Sequence, residues 1–131
     1  MSREIKFRAW NKKLKTFAPD NSSIQIQGDD AHVSFDFFDG NFDTAVWYLD
    51  DVELMQFTGL KDKNGVDIYE GDIVNHNGIG IGYISYNDKH AAYKIVFKGT
   101  TRKWLIDMLE REIREIDLIG NIYENPELTN P

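Results

Sequence analysis

Apolar and polar residues alternate with a period of two along most of this chain, the spacing that sends successive side chains to opposite faces of a β-strand. Ile5, Phe7 and Ala9 alternate with Lys6, Arg8 and Trp10, which predicts a strand from Glu4 to Trp10 with an apolar row on one face. Asn11-Lys12-Lys13 turns the chain, and Leu14 to Ala18 returns as a short second strand before Pro19. Pro19 to Ala31 is rich in Asn, Ser, Gln, Gly and Asp and reads as a loop holding a short strand around Ile24 and Ile26. Val33, Phe35 and Phe37 alternate with Ser34, Asp36 and Phe38 in the next strand. Asp39-Gly40-Asn41 then supplies a hairpin turn into Phe42 to Leu49, an arrangement expected to set Asp36 and Asp43 on one surface.

The stretch from Leu54 to Val74 organises the rest. Leu54, Met55 and Phe57 form one apolar run and Ile68, Ile73 and Val74 another, separated by a polar tip at Lys61, Asp62 and Lys63. Asn64-Gly65 tolerates the positive φ of a tight hairpin turn, so the stretch predicts a β-hairpin with a wet tip. Gly59 is expected to mark a bulge and Gly71 a turn into the strand Asp72-Ile73-Val74. Ile79 to Tyr86 reads as a strand whose Gly80 and Gly82 permit the close approach that a curling sheet needs. After a turn at Asn87-Asp88-Lys89 come Ala92 to Lys98 and, past Gly99-Thr100-Thr101, Arg102 to Asp107. Ile106, Leu109 and Ile113 then recur at helical spacing, which predicts a short helix up to Glu115. A closing strand from Ile116 follows, with Pro126 to Pro131 as a tail.

Three stretches carry a family resemblance: Arg3-Glu4-Ile5-Lys6-Phe7-Arg8-Ala9-Trp10, the hairpin Leu54 to Val74, and Ile119-Gly120-Asn121-Ile122-Tyr123-Glu124-Asn125-Pro126-Glu127-Leu128. In that order they resemble the YopX family of small phage and prophage proteins, while residues 21–50 show no family signature. The resemblance implies a small SH3-like β-barrel and a phage origin, and it implies no activity. The expected fold is therefore mainly β: one domain over residues 1–131, with an amino-terminal β region at 1–53, a barrel portion at 54–124 and one short carboxy-terminal helix.

Composition narrows the function classes. At 131 residues, 41% hydrophobic and 13% aromatic, the chain has the material for one packed core. No apolar run is long enough to span a membrane, so a cytoplasmic protein of a bacterial host cell is expected. The absence of cysteine removes disulfides, thiolate metal sites and a Cys nucleophile. Charge is polarised within a net value of -7: Met1 to Lys15 carries Arg3, Lys6, Arg8, Lys12, Lys13 and Lys15 against Glu4, and Thr16 to Leu60 has acidic residues without Lys or Arg. Such a surface opposes general phosphate binding.

Two faces remain as candidates. Asp36, Asp39, Asp43, Asp50 and Asp51 could form an acidic docking face for a basic partner, or pack against the basic amino-terminal strand; their bland role is solvation. Lys89, Tyr93, Lys94, Lys98, Arg102, Lys103 and Trp104 interleave cations and aromatics on neighbouring strands, as a nucleic-acid or partner face would. Arg8 and Trp10 share a strand face and form a smaller platform, although Trp10 suits a lid over the core better. Gly78, Gly80 and Gly82 do not open a helix, which disfavours a phosphate cradle. His32, His76 and His90 lack metal-ligand spacing, and Asp62, Asn64, Asp67 and Glu70 miss the calcium-loop pattern. Asp67, Glu70 and Asp72 read as turn residues before paired carboxylates. The reading is a non-enzymatic interaction module with no catalytic residue, cofactor or metal, acting on an unidentified host or phage protein. Single-stranded nucleic acid is the alternative ligand, and self-association is left open.

Overall fold

Period-two alternation becomes antiparallel sheet throughout the described part of the chain. The structure, a computed structural model, describes residues 4–19, 23–27, 30–38, 42–97, 102–104 and 115–129; for residues 26, 27, 30–38, 42–46, 49 and 102–104 it describes the backbone course alone. The fold is mainly β, and the chain divides into two compact units, Phe7–Met55 and Met1–Lys6 with Gln56–Pro131.

The unit Phe7–Met55 contains β1 (Phe7–Asn11), β2 (Thr16–Phe17), β3 (Ser23–Gln27), β4 (Asp30–Phe38), β5 (Phe42–Tyr48), a 3₁₀ turn at Leu49–Asp51 and the start of β6 (Val52–Lys61). β1 lies between β2 and β6, while β3, β4 and β5 form a separate three-stranded meander. The expected β4–β5 hairpin is present, closing at Phe38↔Phe42, and its turn Asp39-Gly40-Asn41 lies outside the described residues. The ladder sets Asp36 opposite Thr44 and Asp43 opposite Phe37, so the two aspartates stand at positions of opposite parity and not on one surface. Register decides this, and alternation alone does not reveal register.

Ala9 and Val52 are buried here, covered by Ala18, Ile24, Trp47 and Leu54. Trp10 is buried, with its ring 4.8 Å from that of Phe17 in an edge-to-face contact. The apolar row expected at Ile5, Phe7 and Ala9 is only partly inward: Ile5 and Phe7 are exposed, and β1 begins at Phe7. Alternation fixes which face is apolar but not how far along the strand the core reaches. The turn after β1 is longer than Asn11-Lys12-Lys13. The Asn11 side-chain oxygen accepts from the N–H groups of Lys13 and Leu14, both at 2.9 Å, and Lys15 takes a left-handed φ of 57°, which leaves β2 two residues.

In the other unit, the second half of β6 pairs with β7 (Asp67–Tyr69) through Phe57↔Tyr69 and Lys61↔Asp67. The register slips between these pairs, where Gly59 has φ +90°, so the expected bulge is present. The hairpin tip differs from the expected two-residue turn. It is a five-residue loop, residues 62–66, in which Gly65 takes positive φ and Asn64 does not. Asp62, expected to be wet, is buried at 6% exposure: its Oδ1 accepts from the N–H groups of Asn64 (2.8 Å) and Val66 (2.9 Å), and its Oδ2 from that of Leu118 (3.0 Å). Nothing near Asp62 in sequence announces a partner 56 residues away.

The remaining strands, β8 (Asp72–His76), β9 (Gly80–Asn87), β10 (Ala92–Phe97), β11 (Arg102–Trp104) and β12 (Ile116–Asn121), form an antiparallel sheet in the order β11-β10-β9-β8-β12 that curls as a half-barrel. Its concave side buries Val74, Ile84, Ile95, Phe97 and Ile116 with Ile68 of β7. Gly82 is required by close packing, since a Cβ there would meet Ile95 Cγ2 at 2.7 Å and the Val96 carbonyl oxygen at 2.8 Å. The expected stretches at Lys98, Gly99-Thr100-Thr101 and Ile106 to Arg114 lie outside the described residues, which leaves β11 ending at Trp104. Past β12 the chain is not a plain tail: Asn121 accepts from the N–H groups of Tyr123 and Glu124, Asn125 accepts from that of Asn121, and Pro126–Leu128 makes a 3₁₀ turn. Among the described residues no helix is long and apolar enough to cross a membrane.

Candidate functional site

The β9–β10 hairpin closes at Asn87↔Ala92, and a hairpin closed there must set Tyr86 opposite Tyr93. Its turn is shaped by the Asn87 side chain, which accepts from the His90 N–H at 3.1 Å, and by Ala91, whose φ of 49° is left-handed. The two tyrosine rings stand edge to face, with centroids 5.1 Å apart and planes at 81°. Tyr93 is fixed further by donating its hydroxyl to Gln56 Oε1 at 3.1 Å, whereas Tyr86 remains 40% exposed.

These rings form one wall of a cleft of about 260 Å³ lined by Glu4, Gln56, Phe57, Thr58, Gly59, Tyr86, Ala91 and Tyr93. The bulge in β6 shapes the opposite side. Thr58 turns its hydroxyl to the Ile68 carbonyl at 2.7 Å, and the space where Gly59 would carry a Cβ is open. Phe57 is buried beneath, with the Lys6 ammonium 4.5 Å from its ring centroid.

A row of alternating charges runs beside the cleft. Lys6 pairs with both Asp67 and Glu4, the latter at 3.1 Å, and Lys61 reaches Asp67 at 2.8 Å. Hydrogen bonds from Lys6 and then Lys61 hold the Asp67 carboxyl below the usual carboxylate range, and those to Asp67 and then Glu4 raise Lys6 above the usual lysine value. For Asp62, burial opposes the charge, but the N–H groups of Leu118, Val66 and Asn64 outweigh it and leave the carboxyl lower than normal.

The sequence-expected faces are distributed differently. Register places Lys94 opposite Trp104 and Val96 opposite Arg102, so Lys94, Arg102 and Trp104 occupy one parity. Tyr93 and Lys103 fall on the other, alongside Ile95, and Tyr93 is part of the cleft wall. Lys89 is exposed on the hairpin turn, and Lys98 lies outside the described residues. On the acidic side, Asp51 pairs with Lys13 at 3.0 Å and Glu53 with Lys12 at 3.7 Å, Asp50 is exposed, and Asp39 lies outside the described residues. Among the described residues, Asp51 and Glu53 thus meet the basic amino-terminal hairpin inside their own unit, in surface pairs worth little each. Asp72 is buried and accepts from the Tyr69 N–H at 2.7 Å, which makes it a turn residue. His76 is buried against Phe97, and neither of its ring nitrogens has a hydrogen-bond partner among the described residues. Among those residues no three His, Asp or Glu side chains converge as metal ligands.

Sequence reasoning missed Glu4, Gln56, Thr58 and Tyr86 as neighbours. Only the Tyr86/Tyr93 pair carried a usable signal, the equal distance of both residues from the Asn87–Ala92 closure.

Comparison with known proteins returns one family. The family model described as YopX protein matches residues 6–130. Among solved structures, the chain is similar to protein EF1440 from Enterococcus faecalis, at 26% identity and a TM-score of 0.61, with 98% of this chain and 100% of that one covered. It is also similar in fold to protein yopX from Bacillus subtilis, at 19% identity and a TM-score of 0.58, with 95% and 97% covered. No curated protein matches it.

Proposed function

We propose, from the premise that this chain belongs to the YopX family, that it is a non-enzymatic interaction module of a phage or prophage, acting in the bacterial cytoplasm on a host or phage protein. The observation that carries the reading is the cleft beside Tyr86: an exposed aromatic ring braced by a second ring, over a recess that a partner's side chain can enter. Braced, partly exposed tyrosines supply contact area with little loss of side-chain freedom, which is why they recur at protein interfaces. The curled five-stranded sheet and its closing strand β12 support a small barrel of the SH3-like kind as its scaffold, and the helical spacing of Ile106, Leu109 and Ile113 supports one short helix beside it.

The test is affinity purification from bacterial host cells with the natural chain and a Tyr86→Ala chain as baits, quantified by mass spectrometry. Proteins retained by the first and lost from the second support the reading. Retention indifferent to Tyr86 removes the cleft from it.

A second reading, a single-stranded nucleic-acid binder, is favoured by one observation: Lys94, Arg102 and Trp104 share a parity on paired strands. Binding of labelled oligonucleotides that weakens steeply as salt rises would support it, because phosphate contacts release counterions. Salt-independent or undetectable binding would exclude it.

A further inference from the structure

The lining of the Tyr86 cleft is selective by charge. Among the described residues that line it, Glu4 is the only charged one, and none is Lys or Arg. Glu4 is largely open to solvent, its side chain 65% exposed, with Lys6 as its ion-pair partner at 3.1 Å. Lys6 is shared: it also binds Asp67 and lies over the Phe57 ring, so it stays neutralised if Glu4 turns to another cation. The rest of the lining offers hydrogen-bond acceptors and π faces: the Gln56 carbonyl oxygen, two phenol oxygens and the rings of Tyr86 and Tyr93. An anion entering this recess meets a carboxylate, and the nearby Lys6 ammonium is already paired with Glu4 and Asp67. A cation meets a carboxylate, carbonyl and phenol oxygens, and an aromatic pair.

Size restricts the ligand further. At about 260 Å³ the cleft falls below the range of about 300–1,000 Å³ that holds drug-sized molecules, and it suits one long side chain. A guanidinium suits this lining better than an ammonium, because a planar group can stack on an aromatic ring and still donate its N–H edge to a carboxylate, and the lining holds both kinds of group.

We propose that the cleft between the β6 bulge and the β9–β10 hairpin is a receptor for an arginine side chain of a partner polypeptide. The proposal rests on the interaction-module reading and names the chemistry of its ligand. It also gives the exposed ring of Tyr86 and the open space over Gly59 a common use.

The experiment is a titration of the isotope-labelled chain with N-acetyl-arginine-N-methylamide, followed by amide chemical shifts, beside the citrulline compound, a neutral near-isostere, and the lysine compound. Saturable shifts confined to residues such as Gln56, Thr58, Tyr86 and Tyr93 are expected with arginine. The lysine compound should bind more weakly, and citrulline at least about tenfold more weakly, since it keeps the shape and loses the charge. Glu4→Gln should weaken arginine binding and Tyr86→Ala abolish it, with the remaining spectrum unchanged because both side chains are exposed. Equal shifts from arginine and citrulline, shifts mapping elsewhere, or no saturable shift overturns the proposal. Tyr86-dependent capture of a protein with no arginine response refutes the arginine receptor and leaves the interaction module standing; arginine binding without any Tyr86-dependent protein does the reverse.

Discussion

Replacing Asp62 by Asn separates two jobs that one carboxylate performs. One oxygen closes the hairpin loop through the N–H groups of Asn64 and Val66; the other holds the N–H of Leu118 in β12 at 3.0 Å. Asparagine keeps the shape but has one acceptor oxygen. Whichever way the amide turns, its NH₂ faces N–H donors that the carboxylate had satisfied. A hydrogen bond to a charged group is worth about 1.5–3 kcal/mol, and the bonds that survive lose their charge assistance, so Asp62→Asn should cost about 2–3 kcal/mol. With a urea slope of about 1–3 kcal/mol per molar for a chain this small, the midpoint should fall by roughly 1 M or more at unchanged slope, measured by far-UV circular dichroism. Acid adds a second readout. The folded carboxyl sits below its ordinary value of 3.8, so its stabilisation is complete above that pH and is lost as pH falls through the lower folded value. The gap between the natural chain and the Asp62→Asn variant should therefore be constant near neutrality and shrink in strong acid. A midpoint within about 0.2 M of the natural one, or a gap indifferent to acid, would refute the tie between loop and closing strand.

Three further substitutions probe the two units. Gly82→Ala drives a methyl against Ile95 and the Val96 carbonyl, and should lower stability by about 1–3 kcal/mol in thermal unfolding; a neutral result would contradict the close approach of β9 and β10. His76→Leu removes two buried ring nitrogens that lack partners among the described residues and keeps an apolar contact with Phe97, so the melting temperature should rise by about 2–8 °C; a fall would show that the imidazole is held by a bond. Lys15→Gly relieves a left-handed lysine in the β1–β2 turn and should stabilise by about 0.5–1 kcal/mol in urea melts read from tryptophan fluorescence, with destabilisation contradicting the turn.

What the sequence reveals and what it conceals divide along sequence distance. Local chemistry was legible: the alternation of Tyr93, Ile95 and Phe97, the bulge at Gly59 and the turn at Gly71 each follow from residues within a few positions. Relations across distance were not. Asp62 reads as a wet loop residue until Leu118 arrives to cover it, and Asp36 and Asp43 read as one surface until register sets Asp43 opposite Phe37. Ile5 and Phe7 read as core because periodicity says nothing of where a core ends. The cleft was least visible of all, because its walls come from three separated stretches: residue 4, residues 56–59 and residues 86–93.

That division bears on where function lies. The stretches that carry the family resemblance supply groups that hold the backbone: Asp62 and Asp72 accept from N–H groups in and after the central hairpin, and Asn121 and Asn125 do so around the carboxy-terminal turn. Their polar atoms are already committed to the chain's own backbone, so these signatures specify a scaffold and leave its purpose open. Groups available to a partner are the ring of Tyr86, on a hairpin between the second and third stretches, and the exposed carboxylate of Glu4, which stands within the first. Changing Tyr86 or Glu4 should alter what is bound without changing how the protein unfolds, and changing Asp62 should do the opposite.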